Sequence, residues 1–196
     1  KFAHNGGLYR GRKPVHWCSS CVTALAEAEV EYADHSSPSI YVKFPLKDDI
    51  SAQVPALAGM PVFVVIWTTT PWTIPANLAI TLHPEFDYCT VVVDGQALIV
   101  AEGLKEQFLA ANGLTGDVIA TFKANILDHK NCKHPFYDRD SVILLGEHVT
   151  LEAGTGCVHT APGHGQDDYL IGLREGLEIY NPVDNYGRYI GNLELF

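Results

Sequence analysis

The chain has 196 residues, of which 47% are hydrophobic and 18% charged, and its formal net charge at pH 7 is −10. This size and apolar content suit one domain, or one and a half, with a real hydrophobic core. The acidic balance argues against a dedicated nucleic-acid surface, which needs clustered Lys and Arg. No apolar run reaches the roughly 18 residues of a membrane span, so no membrane partner is expected.

The start of the chain lacks the apolar core of a signal peptide, and the single Met is Met60. The chain is therefore interpreted as an excised domain or as one whose start is missing. An odd number of cysteines, five, indicates reduced thiols and a cytoplasmic protein. Cys18 and Cys21 form a lone CxxC. Three interpretations are open: a redox pair, half of a zinc site whose other ligands lie in a part of the protein missing from this sequence, or a plain turn.

The first half of the chain contains three predicted strands. Between Ala24 and Tyr32, small or apolar residues alternate with three glutamates. Ala, Leu and Glu prefer a helix, but the period of two favours a strand in the second half of this stretch. Ser39 to Pro45 is the predicted hairpin partner of that strand. Val62 to Thr69 carries no charge and is predicted to be the central strand, buried on both faces.

The second half begins with the clearest predicted hairpin, because Asp94-Gly95 supplies the two positive-φ residues of a type I′ turn between Phe86–Val93 and Gln96–Val100. A short helix is predicted from Glu102 to Asn112, closed by Gly113. Further strands are predicted at Asp117–Phe122, Ser141–Leu145 and Gly156–Thr160, and a second helix at Gln166–Glu175. Many strands with few helices predict a mainly β fold of the α+β type, barrel-like or a curled sheet, with helical decorations.

One motif follows the central strand directly: Trp67-Thr-Thr-Thr-Pro-Trp-Thr-Ile-Pro-Ala-Asn77. The strand must stop at the proline. Each threonine hydroxyl both donates and accepts hydrogen bonds, so the cluster could hold a water and the oxygens of a ribose or an ester. The motif contains no base and no strong nucleophile.

A second motif runs from Gly154 to Asp168, and we expect it to face the first across a pocket. In an extended strand Cys157 and His159 would point the same way, so Cys157 could act as a nucleophile that His159 activates. Alternatively His159, His164, Asp167 and Asp168 could hold a hydrolytic metal. For His164 and Asp167 the simpler interpretation is capping of the helix that follows.

The first motif resembles the threonine-rich motif of class I aminoacyl-tRNA synthetase editing domains. In the second, Gly-His-Gly followed by Asp-Asp-Tyr fits the isoleucine branch better than the valine or leucine ones. Lys13–Cys18, Ala24–Tyr32 and Asp140–Thr150 are also similar to bacterial isoleucine enzymes. The resemblance covers nearly the whole chain. It implies a single editing (CP1 insertion) domain over residues 1–196, with residues 1–35 as the connecting segment toward an absent catalytic domain.

The resemblance implies post-transfer editing. A synthetic site misactivates valine because one methylene is worth only about 1–3 kcal/mol, a problem for which the isoleucine enzyme is the standard example. The editing domain would hydrolyse valine from the tRNA for isoleucine, and valyl-adenylate is a further possible substrate. Two alternatives are an aminoacyl-adenosine binding module with little activity in isolation and the editing domain of a valyl or leucyl relative.

The residues that would recognise the amino acid come mainly from the second motif. The resemblance implies that Asp168 binds the α-ammonium group, a charge-assisted contact, and counts among the catalytic residues. It also implies that His159 and Trp67 line the side-chain pocket and set its size. Selectivity would then come from His159 and Asp168, on the wall opposite the threonine motif.

The residues that would hold the water come from the first motif. By resemblance, Thr68, Thr69 and Thr70 hold the terminal adenosine, the ester and the attacking water, with Thr69 and Thr70 in the catalytic set. Thr73 and Asn77 support that network. No covalent intermediate is implied, since catalysis would come from placing water and ester together, helped by a ribose hydroxyl of the tRNA.

The resemblance also implies which cofactors and partners to expect. Editing needs no cofactor, and Cys18 and Cys21 would be half of a structural zinc site completed outside this chain. Neither His-Ile-Gly-His nor Lys-Met-Ser-Lys-Ser occurs, so ATP and Mg²⁺ would serve only the parent enzyme, and this chain is not expected to charge tRNA. The expected partners are the valine-carrying 3′ end of the isoleucine tRNA and the rest of the parent synthetase.

Overall fold

The computed structural model describes residues 2–191. Within them the strands are β1 (Trp17–Cys18), β2 (Thr23–Ala24), β3 (Ile40–Pro45), β4 (Val62–Thr68), β5 (Ala79–Leu82), β6 (Asp87–Val93), β7 (Gln96–Ala101), β8 (Asp117–Lys123), β9 (Asn131–Lys133), β10 (Asp140–Leu145) and β11 (Cys157–Thr160). The helices are α1 (Lys105–Asn112) and α2 (Gln166–Arg174), with 3₁₀ helices at Glu27–Glu29, Pro55–Leu57, Pro71–Ala76, Glu102–Leu104 and Ala124–Ile126. Among residues 2–191 no helix has the length and apolar character that crossing a membrane requires.

The chain forms two compact units. One is Lys1–Asp34 together with Pro162–Phe196, and it carries α2 and the antiparallel ribbon of β1 and β2. The other is His35–Ala161, and it carries β3 to β11 and α1. The second unit contains the threonine motif and most of the second motif, up to Ala161.

The larger sheet of the second unit has the strand order β3-β4-β7-β6-β8. β4 pairs antiparallel with β3 and parallel with β7, so the predicted central strand is hydrogen-bonded on both sides. β6 and β7 form the predicted hairpin, and Asp94 (φ 49°) and Gly95 (φ 76°) both have the positive φ that a type I′ turn requires. Both sequence predictions are confirmed.

The smaller sheet has the strand order β11-β5-β10-β9. β5 pairs parallel with β10 and antiparallel with β11, whereas β9 and β10 are antiparallel. Neither β5, which has four residues, nor β9, which has three, was predicted. Such short strands depend on their neighbours rather than on their own pattern.

The two sheets share one hydrophobic core. Val64 and Ile66 of β4 point into it together with Ile80 of β5 and Ile143 of β10, all at most 1% exposed. The opposite face of the larger sheet forms a second core under α1, which contributes Phe108. β4 is therefore buried on both faces, as its uncharged sequence predicts. The mainly β class is also confirmed, and within the described residues both sheets are open, so no closed barrel forms.

The strand predicted over Ala24–Tyr32 is wrong. Only Thr23–Ala24 pairs, with β1, and Glu27–Glu29 forms a 3₁₀ turn in which the Ala26 N–H donates to Glu29 Oε2 at 2.7 Å. Most side chains in this stretch are exposed. The alternating apolar residues therefore have no hydrophobic core to pack against, and a strand is not stabilised. The Ser39–Pro45 strand exists as β3, but its antiparallel partner is β4.

Both predicted helices are present. α1 ends at Asn112, and Gly113 adopts the left-handed conformation (φ 61°) expected of a glycine just past a helix. α2 ends at Arg174, one residue before the predicted end. The three further predicted strands correspond to β8, β10 and β11. Local signals therefore located the elements of the second unit well.

Candidate functional site

The threonine motif forms the turn between β4 and β5. β4 ends at Thr68, and Pro71 begins the 3₁₀ helix Pro71–Ala76, where a missing N–H costs nothing. The Asn77 N–H donates to Ile74 O at 2.9 Å and closes the turn. The motif thus curls back on itself and brings its hydroxyl groups together.

The threonine hydroxyls form a continuous line. Thr70 Oγ1 lies 3.2 Å from Thr68 Oγ1 and 3.4 Å from Thr73 Oγ1, and Thr73 Oγ1 donates to Thr70 O at 2.8 Å. Thr68 and Thr73 are buried, whereas Thr69 and Thr70 are exposed. The line therefore leads from the protein surface into the interior of the second unit.

His159 continues this line on the other motif. Its Nε2 lies 2.9 Å from Thr73 Oγ1, and its Nδ1 lies 2.8 Å from Asn77 Nδ2. The ring is only 8% exposed. The structure therefore joins the two sequence motifs through one histidine that contacts two side chains of the threonine motif.

The bonding pattern assigns a direction to these contacts. Asn77 Nδ2 also donates to Ala79 O at 2.8 Å, which identifies it as the amide nitrogen. It must then donate to His159 Nδ1, so the neutral ring carries its proton on Nε2 and donates to Thr73 Oγ1. Thr73 in turn donates to Thr70 O. The buried histidine is an orienting group here, because both of its nitrogens are already engaged.

Several buried contacts fix the strand that carries His159. β11 pairs with β5, and Tyr88 Oη, fully buried, accepts from the His83 N–H at 2.9 Å and donates to Gly156 O at 2.7 Å. Gly154 has a φ of 84°, and a Cβ there would lie 2.9 Å from Trp67 Cε3. The glycine thus lets the half-buried Trp67 ring pack against the second motif.

Cys157 lies in the hydrophobic core rather than in an open site. It is 2% exposed, and its Sγ lies 4.0 Å from Ile99 O. Burial raises the pKa of this thiol well above its usual range, so the thiolate needed for attack is disfavoured. These properties argue against Cys157 as a nucleophile.

Asp168 lies in the first turn of α2, in the first unit, and is half-buried. A Cβ on Gly165 would lie 3.2 Å from its Cγ. Asp167 is exposed, and no side chain caps α2, so the capping role considered for His164 and Asp167 is not seen in the described contacts. Burial lowers the pKa of His164. That Asp168 faces His159 across a pocket stays a prediction.

Cys18 and Cys21 are both reduced. The Cys21 N–H donates to Cys18 Sγ at 3.3 Å, and this bond lowers the pKa of Cys18. A lowered pKa favours the thiolate form, which is the form that binds zinc. Within residues 2–191 no three His, Cys, Asp or Glu side chains are grouped to hold a metal ion. That Cys18 and Cys21 form half of a zinc site stays a prediction.

Two further residues that no sequence pattern indicates contact the threonine motif. His134 Nε2 donates to Ile74 O at 2.9 Å, and Arg139 Nη2 donates to Pro75 O. A His-Pro dipeptide after a short strand carries no periodic signal, and the contacts span about sixty residues of sequence. Only the folded chain brings them together.

Several curated proteins with similar sequences are named isoleucine–tRNA ligase. The isoleucine–tRNA ligase of Geobacter sulfurreducens is 74% identical over 196 residues, and that of Syntrophotalea carbinolica is 61% identical over 197. Each match covers 100% of this chain but 21% of the relative. The chain thus spans about a fifth of the length of the curated relatives it matches.

Solved structures with a similar fold come from editing domains. The crystal structure of GlLeuRS-CP1 has a TM-score of 0.60 at 18% identity and covers 72% of this chain and 66% of its own. The P. knowlesi cytosolic leucyl-tRNA synthetase editing domain has a TM-score of 0.58 at 14% identity, covering 70% and 64%. The predicted CP1 editing-domain fold is therefore confirmed.

A family model described as tRNA synthetases class I (I, L, M and V) matches residues 1–183. The threonine motif, the strand with His159 and α2 all lie within that range. Because the match covers most of the chain, the chain belongs to the class I tRNA synthetases (I, L, M and V).

Proposed function

We propose that this chain is the editing domain of an isoleucine–tRNA ligase and hydrolyses valine from the tRNA for isoleucine. The observation that carries the proposal is the hydrogen-bonded line from the exposed Thr70 through Thr73 to His159. It offers hydroxyls to a water and an ester but contains no free base. The names of the curated relatives favour the isoleucine enzyme over a valyl or leucyl one.

The substrate follows from the size problem of the parent enzyme. Valine lacks one methylene of isoleucine, a difference worth about 1–3 kcal/mol in a binding pocket. A second pocket that excludes the larger amino acid and hydrolyses the smaller one would remove this error. The same pocket would accept valyl-adenylate if the adenosine is held in the same way.

The exposed end of the hydroxyl line is the place for chemistry. Thr69 and Thr70, both exposed, would hold the attacking water and the ester, and Thr68 would contact the terminal adenosine. Thr73 and Asn77 would act through His159 and the turn. No covalent step is needed, because hydrolysis would be accelerated by positioning and by hydrogen bonds to the developing oxyanion.

Recognition of the amino acid would rest on three residues. His159 and Trp67 would bound the side-chain pocket. Asp168 would bind the α-ammonium group, since a carboxylate paired with an ammonium is a strong charge-assisted contact.

Cys18 and Cys21 would bind a structural zinc together with ligands from the rest of the enzyme. The ATP- and Mg²⁺-dependent charging of tRNA would also take place in that remaining part. The working compartment would be the cytoplasm.

The proposal is tested with isoleucine tRNA charged with labelled valine or with isoleucine. Both the 196-residue chain and the isoleucine–tRNA ligase that contains it are incubated with each substrate. Release of valine much faster than isoleucine by both supports the hydrolase. Release by the ligase alone supports the alternative of a binding module that needs its parent. No release by either overturns the proposal.

Two reagents distinguish the proposed hydrolase from a metal hydrolase and from a cysteine hydrolase. A chelator and a thiol alkylating agent are added after folding is verified by circular dichroism. Valine release should persist with both, because Cys157 is buried and the threonine line needs no metal. Complete loss with either reagent while the fold is intact would instead support a metal or cysteine hydrolase.

The role of His159 has its own test. In His159→Ala the pocket would enlarge, so isoleucine should also be released and the preference for valine should fall about 10- to 200-fold, the discrimination that one methylene provides. His159→Gln keeps a similar size and serves as the control. An unchanged preference in the alanine variant would remove His159 from the pocket wall.

A further inference from the structure

The 3₁₀ helix Pro71–Ala76 of the threonine motif contains two prolines. Pro71 and Pro75 have no N–H, so the helix is short of its own backbone donors. Ile74 O accepts the closing bond from the Asn77 N–H. Additional donors from elsewhere in the fold can further fix the orientation of this turn.

These donors come from the hairpin loop between β9 and β10, residues 134–139. The loop is closed by the His134 N–H, which donates to Arg139 O at 3.0 Å. Its two ends then reach consecutive carbonyls of the turn: His134 Nε2 donates to Ile74 O at 2.9 Å, and Arg139 Nη2 donates to Pro75 O.

The His134 ring is held in one protonation state. Its Nδ1 accepts from the N–H groups of Phe136 (3.1 Å) and Tyr137 (3.2 Å), so Nε2 must carry the proton that goes to Ile74 O. The ring is 1% exposed and packs edge-on against Phe44. Burial, with a smaller effect of the nearby Arg139 charge, lowers the pKa of His134 to about 4. The ring is therefore neutral at neutral pH.

Arg139 is oriented by an aromatic contact. Its Cζ lies 5.1 Å from the centre of the Tyr137 ring, and Tyr137 also packs against His134 at 5.0 Å. Such a cation–π contact favours a guanidinium over a lysine ammonium. The loop thus presents two defined donors on one small aromatic cluster.

We propose that His134 and Arg139 are positioning residues for the editing site: by holding the carbonyls of Ile74 and Pro75 they fix Thr73 and Asn77, the two side chains that orient His159. The inference rests on the proposed function for its effect on hydrolysis. Its structural part concerns only the turn and the His159 ring, and it is tested separately.

A matched pair of substitutions separates positioning from simple packing. His134→Gln places an amide nitrogen near the position of Nε2 and keeps the donor to Ile74 O. His134→Asn places an oxygen near the position of Nδ1 and keeps the acceptor for the loop, but it is too short to reach Ile74. Asn is one methylene smaller than Gln, so His134→Leu, which is close to Gln in size but has no donor, is added as the packing control. A packing role alone predicts that the leucine variant resembles the glutamine variant, whereas a positioning role predicts that it resembles the asparagine variant. Arg139→Met removes the second donor.

The first measurement uses nuclear magnetic resonance on the 196-residue chain. In His134→Asn and Arg139→Met, amide exchange at Asn77 should rise about tenfold, the value of one net hydrogen bond. The His159 ring nitrogens should also change shift, while Val91 in the β6–β7 hairpin stays protected. His134→Gln should resemble the unsubstituted chain. Unchanged Asn77 and His159 signals in the asparagine variant, or equal loss of protection at Val91, would overturn the proposal.

The second measurement is hydrolysis of valine-charged isoleucine tRNA by the ligase that contains this chain. His134→Asn should lower kcat about tenfold with KM changed less than about twofold, and His134→Gln should restore most of kcat. An asparagine variant as active as the glutamine one would overturn the proposal. If the unsubstituted ligase does not hydrolyse the ester, the proposed function fails, and the resonance data alone decide whether His134 and Arg139 position the turn.

Discussion

At the scale of single residues, the site is a hydrogen-bonded series with a defined direction. Asn77 donates to His159, His159 donates to Thr73, and Thr73 donates to Thr70 O. Each member uses its donor for the next, so the ring cannot turn over without breaking two bonds. Hydrogen bonds arranged in this way are strengthened by their low-dielectric surroundings, and a break is correspondingly costly.

The Thr73 hydroxyl both accepts and donates a hydrogen bond in this series. We therefore expect its replacement to have the clearest effect on stability and on valine release. Thr73→Val keeps the shape but leaves His159 Nε2–H and Thr70 O without that partner, which should cost about 1–3 kcal/mol of stability. Valine release should fall about tenfold or more. Thr73→Ser keeps the hydroxyl and should retain activity. Urea unfolding and ester hydrolysis measure both effects, and equal activity of the two variants would contradict the assigned direction.

At the scale of elements, the position of β11 is fixed by hydrogen bonds from the larger sheet. The Tyr88 hydroxyl donates to Gly156 O, and the Ala101 N–H donates to Thr155 O at 2.7 Å. β11 also lies against β4. The strand that carries His159 is thus fastened to the ends of β6 and β7, and its position depends on how closely Gly156 approaches that part of the larger sheet.

Gly156→Ala should displace β11. Gly156 has a φ of 71°, and an added Cβ would lie 2.4 Å from the Ala101 Cβ. Strain and overlap together should destabilise the second unit by about 3 kcal/mol and lower ester hydrolysis. Gly95→Ala is the control, since its φ is 76° but nothing lies within 4 Å of its Cβ position; it should cost about 1 kcal/mol. Denaturant unfolding that gives the same loss for both variants would show that the overlap is relieved.

The sequence predicted the elements whose signals are local. The uncharged run of β4, the Asp94-Gly95 turn and the glycine after α1 each specify their structure through nearby residues. β5 could not be found in this way, because its four residues are all buried and show no alternation. The Ala24–Tyr32 stretch failed for the opposite reason, since it alternates but has no core to face.

The candidate site divides in the same manner. The threonine motif and His159 were predicted to work together, and the structure brings Thr73, Asn77 and His159 into contact. Tyr88 and His134 were not predicted, because each reaches the site from a strand or loop that is distant in sequence. Supporting contacts of this kind depend on strand order, which a single sequence does not specify.

At the scale of the whole molecule, the negative net charge of the chain is unfavourable for binding tRNA. The chain carries 13 Lys and Arg against 23 Asp and Glu, which gives the net charge of −10. A protein that holds tRNA through its phosphates needs clustered cations. The chain spans about a fifth of its curated relatives. Under the proposed function, the main tRNA-binding surface would lie in the rest of the ligase, and this chain would receive only the 3′ end.

We therefore expect the isolated chain to bind tRNA weakly and with little dependence on salt. At physiological salt its Kd should lie at about 10⁻⁴ M or above, and the slope of log K against log salt should be about −1, since each contact with a single-stranded phosphate contributes roughly −0.7. The parent ligase should show a much steeper slope. Binding is measured by fluorescence anisotropy across a salt series, with tRNA lacking its terminal adenosine as the control. Because only the 3′ end should enter the threonine turn, the trimmed tRNA should lose nearly all affinity for the chain; a steep slope, or equal binding of both tRNAs, would show that phosphates rather than the terminal nucleotide are recognised.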